Sequence, residues 1–572
     1  MVNLMIDHIP VSVPEGTTVM EAAASVGIRI PHLCYLKEIN EIAACRVCLV
    51  ELAGKEKLIT SCNNVVQDGM EILTNSPRVR AARRTNVQLI LSQHDSRCAI
   101  CMRSGNCALQ AIANDMGLTS TPYPDDWSPE PWNPRFPLIR HAERCIKCMR
   151  CVQICDKVQG LSVWDIVNTG ARTTVGVAGN GDMEQSNCVL CGQCITHCPV
   201  GALHGREDHD EVLAAMADPE IVTVVQVAPA VRTAWAESLG IPAERATVGR
   251  LVATLHRLGF DYVFDTDFSA DLTILEEGSE LLARLDEIRE TGKPLFTSCC
   301  PGWVRFLKTQ YPDMVEQLST AKSPQQMFGS VVKTYFAEKE GLAPKKIFSV
   351  SVMPCVAKKA EAALPGINVS EGRDVDCVLT TRELARMVRA DRIMVEALRE
   401  EPFDDMLGTA TGAGALFGVT GGVMEAALRS ACFLLHHKNP DPDSFREIRG
   451  QEQTGVREGE FNLAGTMVRV AVVSGLKNAR QLIERLRRGE VRYDFVEVMA
   501  CPGGCVGGGG QPIHDGEEWA CGRGGQLYAL DRKSPLRFSH ENPEVQKLYQ
   551  DYLGEPLSET AHRLLHTDHT AW

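Results

Sequence analysis

Short apolar runs recur along the chain from about Asp210, each closed by polar or turn-forming positions. Ile221–Val227, Tyr262–Phe264, Leu295–Thr297, Ile347–Val352, Val375–Thr380, Val468–Val473 and Phe495–Val498 read as strands. Stretches of helical period lie between them, such as Leu272–Ile288 and Thr381–Met387. This alternation predicts parallel α/β lobes, in which ligands gather at the carboxyl ends of strands. The first 209 residues have another texture. Asn3–Asp7 and Val11–Val13 predict a hairpin. Thr18 and Glu21 form a capping box for a helix through about Val26, and Arg78–Leu91 reads as another helix.

Composition narrows the chemistry. The chain has 572 residues, 44% of them apolar, so several domains with sizeable cores are expected. It holds 23 cysteines. Met1–Pro14 shows no basic segment followed by a long apolar one, so no secretory leader is expected. No run of 18 apolar residues suggests a membrane span. The cysteines therefore read as metal ligands in a reducing cytoplasm rather than disulfides. A net charge of −14 disfavours nucleic acid, whose phosphates would be repelled.

Cysteine spacing divides the first 209 residues. Cys34, Cys45, Cys48 and Cys62 follow Cys-x10-Cys-x2-Cys-x13-Cys behind the hairpin and helix. This resembles the plant-type 2Fe–2S ferredoxin fold, in the longer-spaced form that opens the large iron–sulfur subunit of complex I. A four-cysteine zinc site is the competing reading. His94, Cys98, Cys101 and Cys107 come next; one imidazole and three thiolates can hold zinc or an iron–sulfur cluster. The same complex I subunit carries this arrangement around a 4Fe–4S cluster. Cys145, Cys148, Cys151 and Cys155 follow Cys-x2-Cys-x2-Cys-x3-Cys, and Cys188, Cys191, Cys194 and Cys198 repeat it before Pro199. In this two-cluster ferredoxin pattern each run's fourth cysteine serves the other cluster. One cluster should take Cys145, Cys148, Cys151 and Cys198, the other Cys188, Cys191, Cys194 and Cys155. These sites read as an electron wire.

Three distant segments carry the remaining signal: Thr297-Ser298-Cys299-Cys300-Pro301-Gly302-Trp303, Met353-Pro354-Cys355, and Met499-Ala500-Cys501-Pro502-Gly503-Gly504-Cys505. Each follows a predicted strand, so three strand ends can converge on one large cluster. Pro301 suits the first turn of a helix beginning near Cys300. The glycines from Gly503 to Gly510 permit close backbone approach to a bulky cofactor.

These residues resemble the three signature motifs of [FeFe]-hydrogenase (iron-only hydrogenase). They read TSCCPGW at 297–303, MPCVAKKAE at 353–361 and EVMACPGGCVGGGGQP at 497–512. The resemblance spans essentially the whole chain. It implies an H-cluster, a 4Fe–4S cube joined to a two-iron subcluster with CO, cyanide and an azadithiolate bridge. Cys300, Cys355, Cys501 and Cys505 would hold the cube, with Cys505 bridging to the two-iron unit. Lys358 would be the cyanide partner. Ala228, Pro229, Ser323, Gln325, Met353, Phe417 and Met499 would line the pocket. Cys299 would be the first proton carrier, followed by Glu277, Ser319, Glu280 and Arg284. Without the resemblance, Lys358 reads as a surface lysine, and Glu280 with Arg284 as an exposed i,i+4 pair.

The implied fold is α+β and α/β multidomain. A plant-type 2Fe–2S β-grasp domain (1–78) precedes a His/Cys3 cluster domain (79–136) and a two-cluster bacterial ferredoxin domain (137–209). A two-lobed α/β catalytic H-cluster domain (210–538) and a small-subunit-like helical tail (539–572) follow. The implied cofactors are the H-cluster, three 4Fe–4S clusters and one 2Fe–2S cluster. The implied activity is reversible H2 oxidation and proton reduction. Maturation proteins would install the two-iron unit. Ferredoxin is an expected electron partner. Met327, Asp265-Thr266-Asp267, Cys501-Pro502 and the closing Leu564-Leu565-His566-Thr567 resemble multisubunit NAD(P)-linked members, which pair with a flavin subunit and a small 2Fe–2S subunit and sometimes bifurcate electrons. A stand-alone ferredoxin-linked hydrogenase, a non-catalytic electron-transfer subunit and a cluster-assembly or H2-sensing relative compete; Cys299 and the intact glycine run favour turnover. Cys377, Cys432 and Cys521 fit no group and are expected to be buried free thiols.

Overall fold

A computed structural model describes residues 1–449, 455–463 and 465–570. The chain divides into two compact units. The first comprises residues 1–186, 193–204 and 515–517; the second comprises 187–192, 205–514 and 518–572.

The first unit opens with strands β1 (Val2–Ile6) and β2 (Ile9–Val13), joined through Asp7 and His8. Both turn residues have positive φ, 47° and 68°, as a tight hairpin of matching twist demands. Thr18 caps the helix Val19–Ser25 through the expected box with Glu21. β3 (Leu49–Leu52), β4 (Leu58–Thr60) and β5 (Glu71–Leu73) complete a sheet of order β2-β1-β5-β3-β4, in which β1 and β5 run parallel. Leu4, Ile6, Val11, Val13, Val19 and Val50 share its core. The helix Pro77–Ser92 follows. Farther along, β6 (Leu138–Arg140) pairs with β9 (Leu203–Gly205), and β7 (Trp164–Val167) with β8 (Thr174–Val177).

The second unit contains two four-stranded sheets. β10 (Val222–Val227), β11 (Tyr262–Asp265), β13 (Ile347–Met353) and β14 (Cys377–Thr380) form one, parallel throughout, in the order β11-β10-β13-β14. β12 (Leu295–Phe296), β15 (Gly455–Leu463), β16 (Thr466–Ser474) and β17 (Phe495–Met499) form the other, ordered β12-β17-β16-β15. It is parallel except for the β15/β16 hairpin. β10 and β17 are buried almost end to end, which is why they read as unbroken apolar runs. β15 has no counterpart among the predicted strands; Arg457, Glu458 and Glu460 interrupt its apolar face.

The helix Thr266–Thr291 is longer than the predicted 272–288, because Asp265 caps it by accepting from the Asp267 amide. It serves two cores. Ala270, Ile274 and Leu281 pack with Leu295, Val470 and Phe495, whereas Phe268, Leu272 and Leu275 pack with Val224 and Ile347. Its acidic residues therefore stand between the two sheets' packing layers. The tail forms the helices Pro543–Leu548 and Glu559–Leu565, joined through a wider π-turn at Tyr549–Leu553, and packs into the second of these cores. Cys377 and Cys432 are buried, but Cys521 is exposed and corrects the expectation for it. It sits in the first turn of the helix Ala520–Lys533, whose buried face is Ala520, Gly524 and Leu527. Among the described residues no helix is long and apolar enough to cross a membrane.

Candidate active site and cluster ligands

In the first unit, the four thiols of the first group are buried together. Cys48 Sγ donates to Cys62 Sγ at 3.4 Å, and hydrogen bonds from Cys45 and Cys62 pull the Cys34 pKa down. His94 is 7% exposed and its Nδ1 donates to the Arg144 carbonyl at 3.0 Å. A carbonyl only accepts, so Nδ1 carries the proton and Nε2 keeps its lone pair for a metal. Burial holds this imidazole's pKa low, opposed by the Arg144 hydrogen bond. Cys145, Cys148, Cys151 and Cys198 line one small cavity walled by Ile146, Met149, Trp164, Val175 and Leu203. The structure thus brings together one of the two crossed ferredoxin sets. Of the other set, Cys155 and Cys194 lie in the first unit, Cys188 and Cys191 in the second.

Two links here were not read from the sequence. Asn40, fully buried, donates to the carbonyls of Cys34 (2.7 Å) and Cys148 (2.8 Å), tying two cluster loops together. Non-glycine residues with positive φ gather in these loops, at Ala43, Arg46, Lys147 and Met149. Turns of that kind aim successive amides at an anionic guest.

In the second unit, three strand ends supply the candidate active-site thiols. β12 leads to Cys299 and to Cys300, which stands at the N-cap of the helix Pro301–Gln310. Thr297 N donates to Val496 O at 3.0 Å, Ser298 Oγ to Ala321 O at 2.5 Å, and Trp303 Nε1 to Thr297 O at 3.1 Å. Each polar or aromatic residue of the motif thereby locks the loop. β13 leads to Cys355, and β17 to Cys501 and Cys505. Burial raises the pKa of Cys355 to about 11, and that of Cys501 and Cys505 further. Cys300 adds to all three shifts, and Cys355 to those of Cys501 and Cys505, so the four thiols lie within electrostatic reach of one another. Such a set is costly without cations to hold it.

The surroundings fit a bulky inorganic group. A Cβ on Gly504 would meet Thr420 N at 2.6 Å, and one on Gly510 would meet Cys355 N at 2.8 Å. Gly504 also has φ 93° and ψ −156°, a region closed to other residues. Ser323 Oγ and Gln325 Oε1 are buried without a hydrogen-bond partner. Met353, Phe417 and Met499 are buried, as are Ala228 and Pro229 at the end of β10. Lys358 donates to Cys299 O at 3.2 Å and to Glu361 Oε2 at 2.8 Å. Burial works against its charge, yet Glu361 outweighs burial and holds its pKa above the ordinary value. Gln325 Nε2 donates to the same Glu361 oxygen at 3.1 Å.

Glu497, Gln511 and Cys191 also serve the site, although they were not singled out for it. The Glu497 carboxylate accepts from Gly421 N and Met424 N, both at 2.7 Å, at the start of the helix Gly422–His436. Burial raises its pKa to about 7. Gln511 Nε2 donates to Ala230 O at 2.9 Å. Cys501 Sγ lies 3.7 Å from the Cys191 carbonyl, and Gly509 packs on Gly192, so a predicted ferredoxin ligand lies against a predicted cube ligand. Spacing alone could not signal these contacts.

Glu277, Glu280 and Arg284 share a face of the helix Thr266–Thr291. Ser319 Oγ donates to Glu280 Oε2 at 2.7 Å, and Arg284 Nη1 to Glu280 Oε1 at 3.1 Å. Glu277 is fully buried and neither of its oxygens makes a hydrogen bond. Its pKa is pushed up to about 8, by burial first and the Glu280 charge second, with Ser298 and Ser319 near enough to oppose the shift. Cys299, 8% exposed, is raised well above the usual thiol range by burial and then by Glu277. Cys299 therefore holds its proton, and Glu277 can change state near neutral pH.

The description "Iron only hydrogenase large subunit, C-terminal domain" matches residues 221–509, and "Iron hydrogenase small subunit" matches 518–572. A 2Fe–2S cluster binding domain matches 1–77. The NADH-ubiquinone oxidoreductase-G iron–sulfur binding region matches 83–122, and the ferredoxin-like domain of NADH-quinone oxidoreductase subunit 3 matches 137–204. The chain is 46% identical to the NADP-reducing hydrogenase subunit HndD of Solidesulfovibrio fructosivorans, over 99% of this chain and 98% of that one. It is 37% identical to iron hydrogenase 1 of Clostridium pasteurianum, over 99% of both. A solved [FeFe]-hydrogenase variant from Chlamydomonas reinhardtii is similar with a TM-score of 0.56 and 44% identity, covering 63% of this chain and 98% of its own.

Proposed function

Because this chain belongs to the iron-only hydrogenase family, we propose that it is the hydrogen-activating subunit of a multisubunit, NADP-linked enzyme. It is an oxidoreductase acting on H2, with an H-cluster domain and N-terminal 2Fe–2S and 4Fe–4S domains. The observation that carries the reading is the meeting of Cys300, Cys355, Cys501 and Cys505 beside a protonated Cys299 and the buried Lys358–Glu361 pair.

When bound, the H-cluster supplies the heterolytic chemistry of H2 and the electron exchange. The chain's own residues do the rest. Cys300, Cys355, Cys501 and Cys505 would hold the cube. The Lys358 ammonium and the unpartnered Ser323 hydroxyl offer donors to polar ligands of the cluster. Met353, Phe417 and Met499 exclude water. Cys299 Sγ gives and takes a proton, Glu277 carries it inward or outward, and Ser319 with Glu280 passes it to water at the surface, where Arg284, 26% exposed and permanently charged, donates to Glu280 and holds it in place. The ligands proposed above would hold one 2Fe–2S and three 4Fe–4S clusters, which would supply the electron path. Cys191, whose carbonyl lies 3.7 Å from Cys501 Sγ, would be the ligand of that path nearest the cube.

The relative named for NADP reduction supports a partner subunit that binds flavin and nicotinamide. A small 2Fe–2S subunit, ferredoxin and maturation proteins complete the proposed partners, in the cytoplasm. Purification of the native assembly tests this. An FMN-containing chain should accompany this one, and H2 should reduce NADP+. Full ferredoxin-linked turnover by the isolated chain, with no NADP+ reduction by any co-purified complex, would overturn it in favour of a stand-alone enzyme.

A further inference from the structure

We propose that the C-terminal tail is a working part of the proton relay, with His566 as the residue that positions the relay's middle. The inference rests on the hydrogenase reading above. Glu280 is held by two neighbours in sequence, the Ser319 hydroxyl at 2.7 Å and the Thr320 amide at 3.0 Å. One anchor of that segment is β12, whose Phe296 carbonyl accepts from Ser319 N at 2.8 Å. The tail supplies the others. Thr567 N donates to Thr320 O and Lys322 N to Leu565 O, both at 2.8 Å, while the Lys322 ammonium reaches Leu564 O at 2.9 Å. His569 Nε2 donates to Ser319 O at 2.9 Å.

His566 is the centre of this arrangement. It is 8% exposed, with Nδ1 2.8 Å from Thr320 Oγ1 and Nε2 3.0 Å from Glu276 Oε2. Glu276 is fully buried and also accepts from Tyr549 Oη at 2.5 Å and Leu557 N at 2.9 Å. Because Glu276 acts as acceptor, Nε2 donates to it, and Nδ1 is left to accept the Thr320 hydroxyl proton. A carboxylate thus orients an imidazole, the imidazole orients Thr320, and Thr320 and Ser319 orient Glu280. A surface pocket of about 540 Å³ opens here, bordered by Arg284, Thr320, His562 and His566. The outer end of the relay therefore meets water at a mouth built partly by the tail. Displacing Glu280 from Ser319 would interrupt transfer without touching the cluster ligands.

The test uses cluster-loaded enzyme with His566→Phe, which removes both bonds, beside Thr320→Val and His566→Gln. Infrared CO and cyanide bands, amide exchange of the tail, the KM for H2, viologen-linked kcat and its solvent deuterium isotope effect are read together. We expect unchanged bands, a tail still slow to exchange and an unchanged KM. In His566→Phe and Thr320→Val, kcat should fall about tenfold with a larger isotope effect, and His566→Gln should recover part of it. Wild-type kcat and isotope effect in His566→Phe would overturn the inference. So would a loss of turnover matched in every variant by a loss of the bands, which would assign the tail to cluster retention. A parent enzyme with no H2 turnover would overturn the hydrogenase reading as well, whereas fully active variants would sink only the tail's role.

Discussion

Replacing Glu277 with glutamine should make the protein more stable at alkaline pH while removing most of its turnover. The carboxyl is fully buried and its pKa lies at about 8 against an ordinary 4.5, raised by burial and then by Glu280. An acid whose folded pKa exceeds its unfolded pKa binds its proton more tightly in the native state. Between pH 4.5 and 8 the unfolded chain releases that proton while the native chain keeps it, so native stability falls as pH rises; above 8 the loss is complete. The difference, 8 − 4.5, is about 3.5 units, or about 5 kcal/mol at 1.36 kcal/mol per unit. Of this, the two units between pH 6 and 8 account for about 3 kcal/mol. Glutamine has the same shape and no charge to desolvate. The stability gap between Glu277→Gln and parent should therefore widen by about 3 kcal/mol from pH 6 to pH 9. Unfolding of the two cluster-loaded proteins, compared at each pH, reads that gap. Turnover should fall about a hundredfold or more, because an amide cannot carry the proton, with the infrared bands intact. A stability gap that does not change with pH would refute the burial argument, and wild-type turnover would refute the relay.

Three further outcomes follow from named contacts. If, as proposed, the Cys299 thiol carries protons and holds no iron, Cys299→Ala should keep the CO and cyanide bands and lose about a hundredfold in kcat; a fully active variant would remove Cys299 from the path. Lys358→Met should cost about 3–5 kcal/mol by stranding the buried Glu361 carboxylate, and Lys358→Met with Glu361→Leu should recover much of it in thermal unfolding without restoring turnover. Gly504→Ala forces a Cβ against Thr420 N at a backbone conformation costing about 1–3 kcal/mol, so iron content per chain should drop, and normal iron loading would show that the cradle yields.

The parallel sheets and the convergence of three strand ends were legible because buried strands leave continuous apolar runs, and because cysteine spacing survives in one dimension. β15 was not legible, since its charged positions mask the alternation. Glu497 opens the third motif, but its partners, like those of Asn40, were hidden for another reason. Each acts by bonding backbone groups that only the fold brings near: Gly421 and Met424 for the one, Cys34 and Cys148 for the other. A sequence motif records side chains at fixed offsets and is blind to such long-range backbone partners. Cys521 erred in the opposite direction, because its position on a helix with a narrow buried face outweighs the tendency of free thiols to be buried.

The residues that carry the chemistry are also those that violate the rules of a stable core. Glu277 keeps two buried oxygens without a hydrogen bond, and Ser323 and Gln325 keep one each. Four thiols lie within electrostatic reach of one another and of a buried lysine. Each feature opposes folding unless something at the site answers it. For the thiols and the Ser323 hydroxyl, the proposed answer is a cluster, with iron for the sulfurs and polar ligands for the hydroxyl donor, whereas Gln325 Oε1 is an acceptor that such ligands leave unanswered. For Glu277 the proposed relay needs no such ligand, because there the stranded carboxyl would itself be the working part. A satisfied carboxylate would be locked in one ionisation state, whereas one held near pH 8 between Cys299 and Ser319 can alternate. The contrast with Glu276, its neighbour on the helix, makes the point. Glu276 is equally buried but bonded by Tyr549, Leu557 and His566. Adjacent glutamates on one helix thus have different partners, which under the proposed relay would set one to hold the tail in place and the other to move protons.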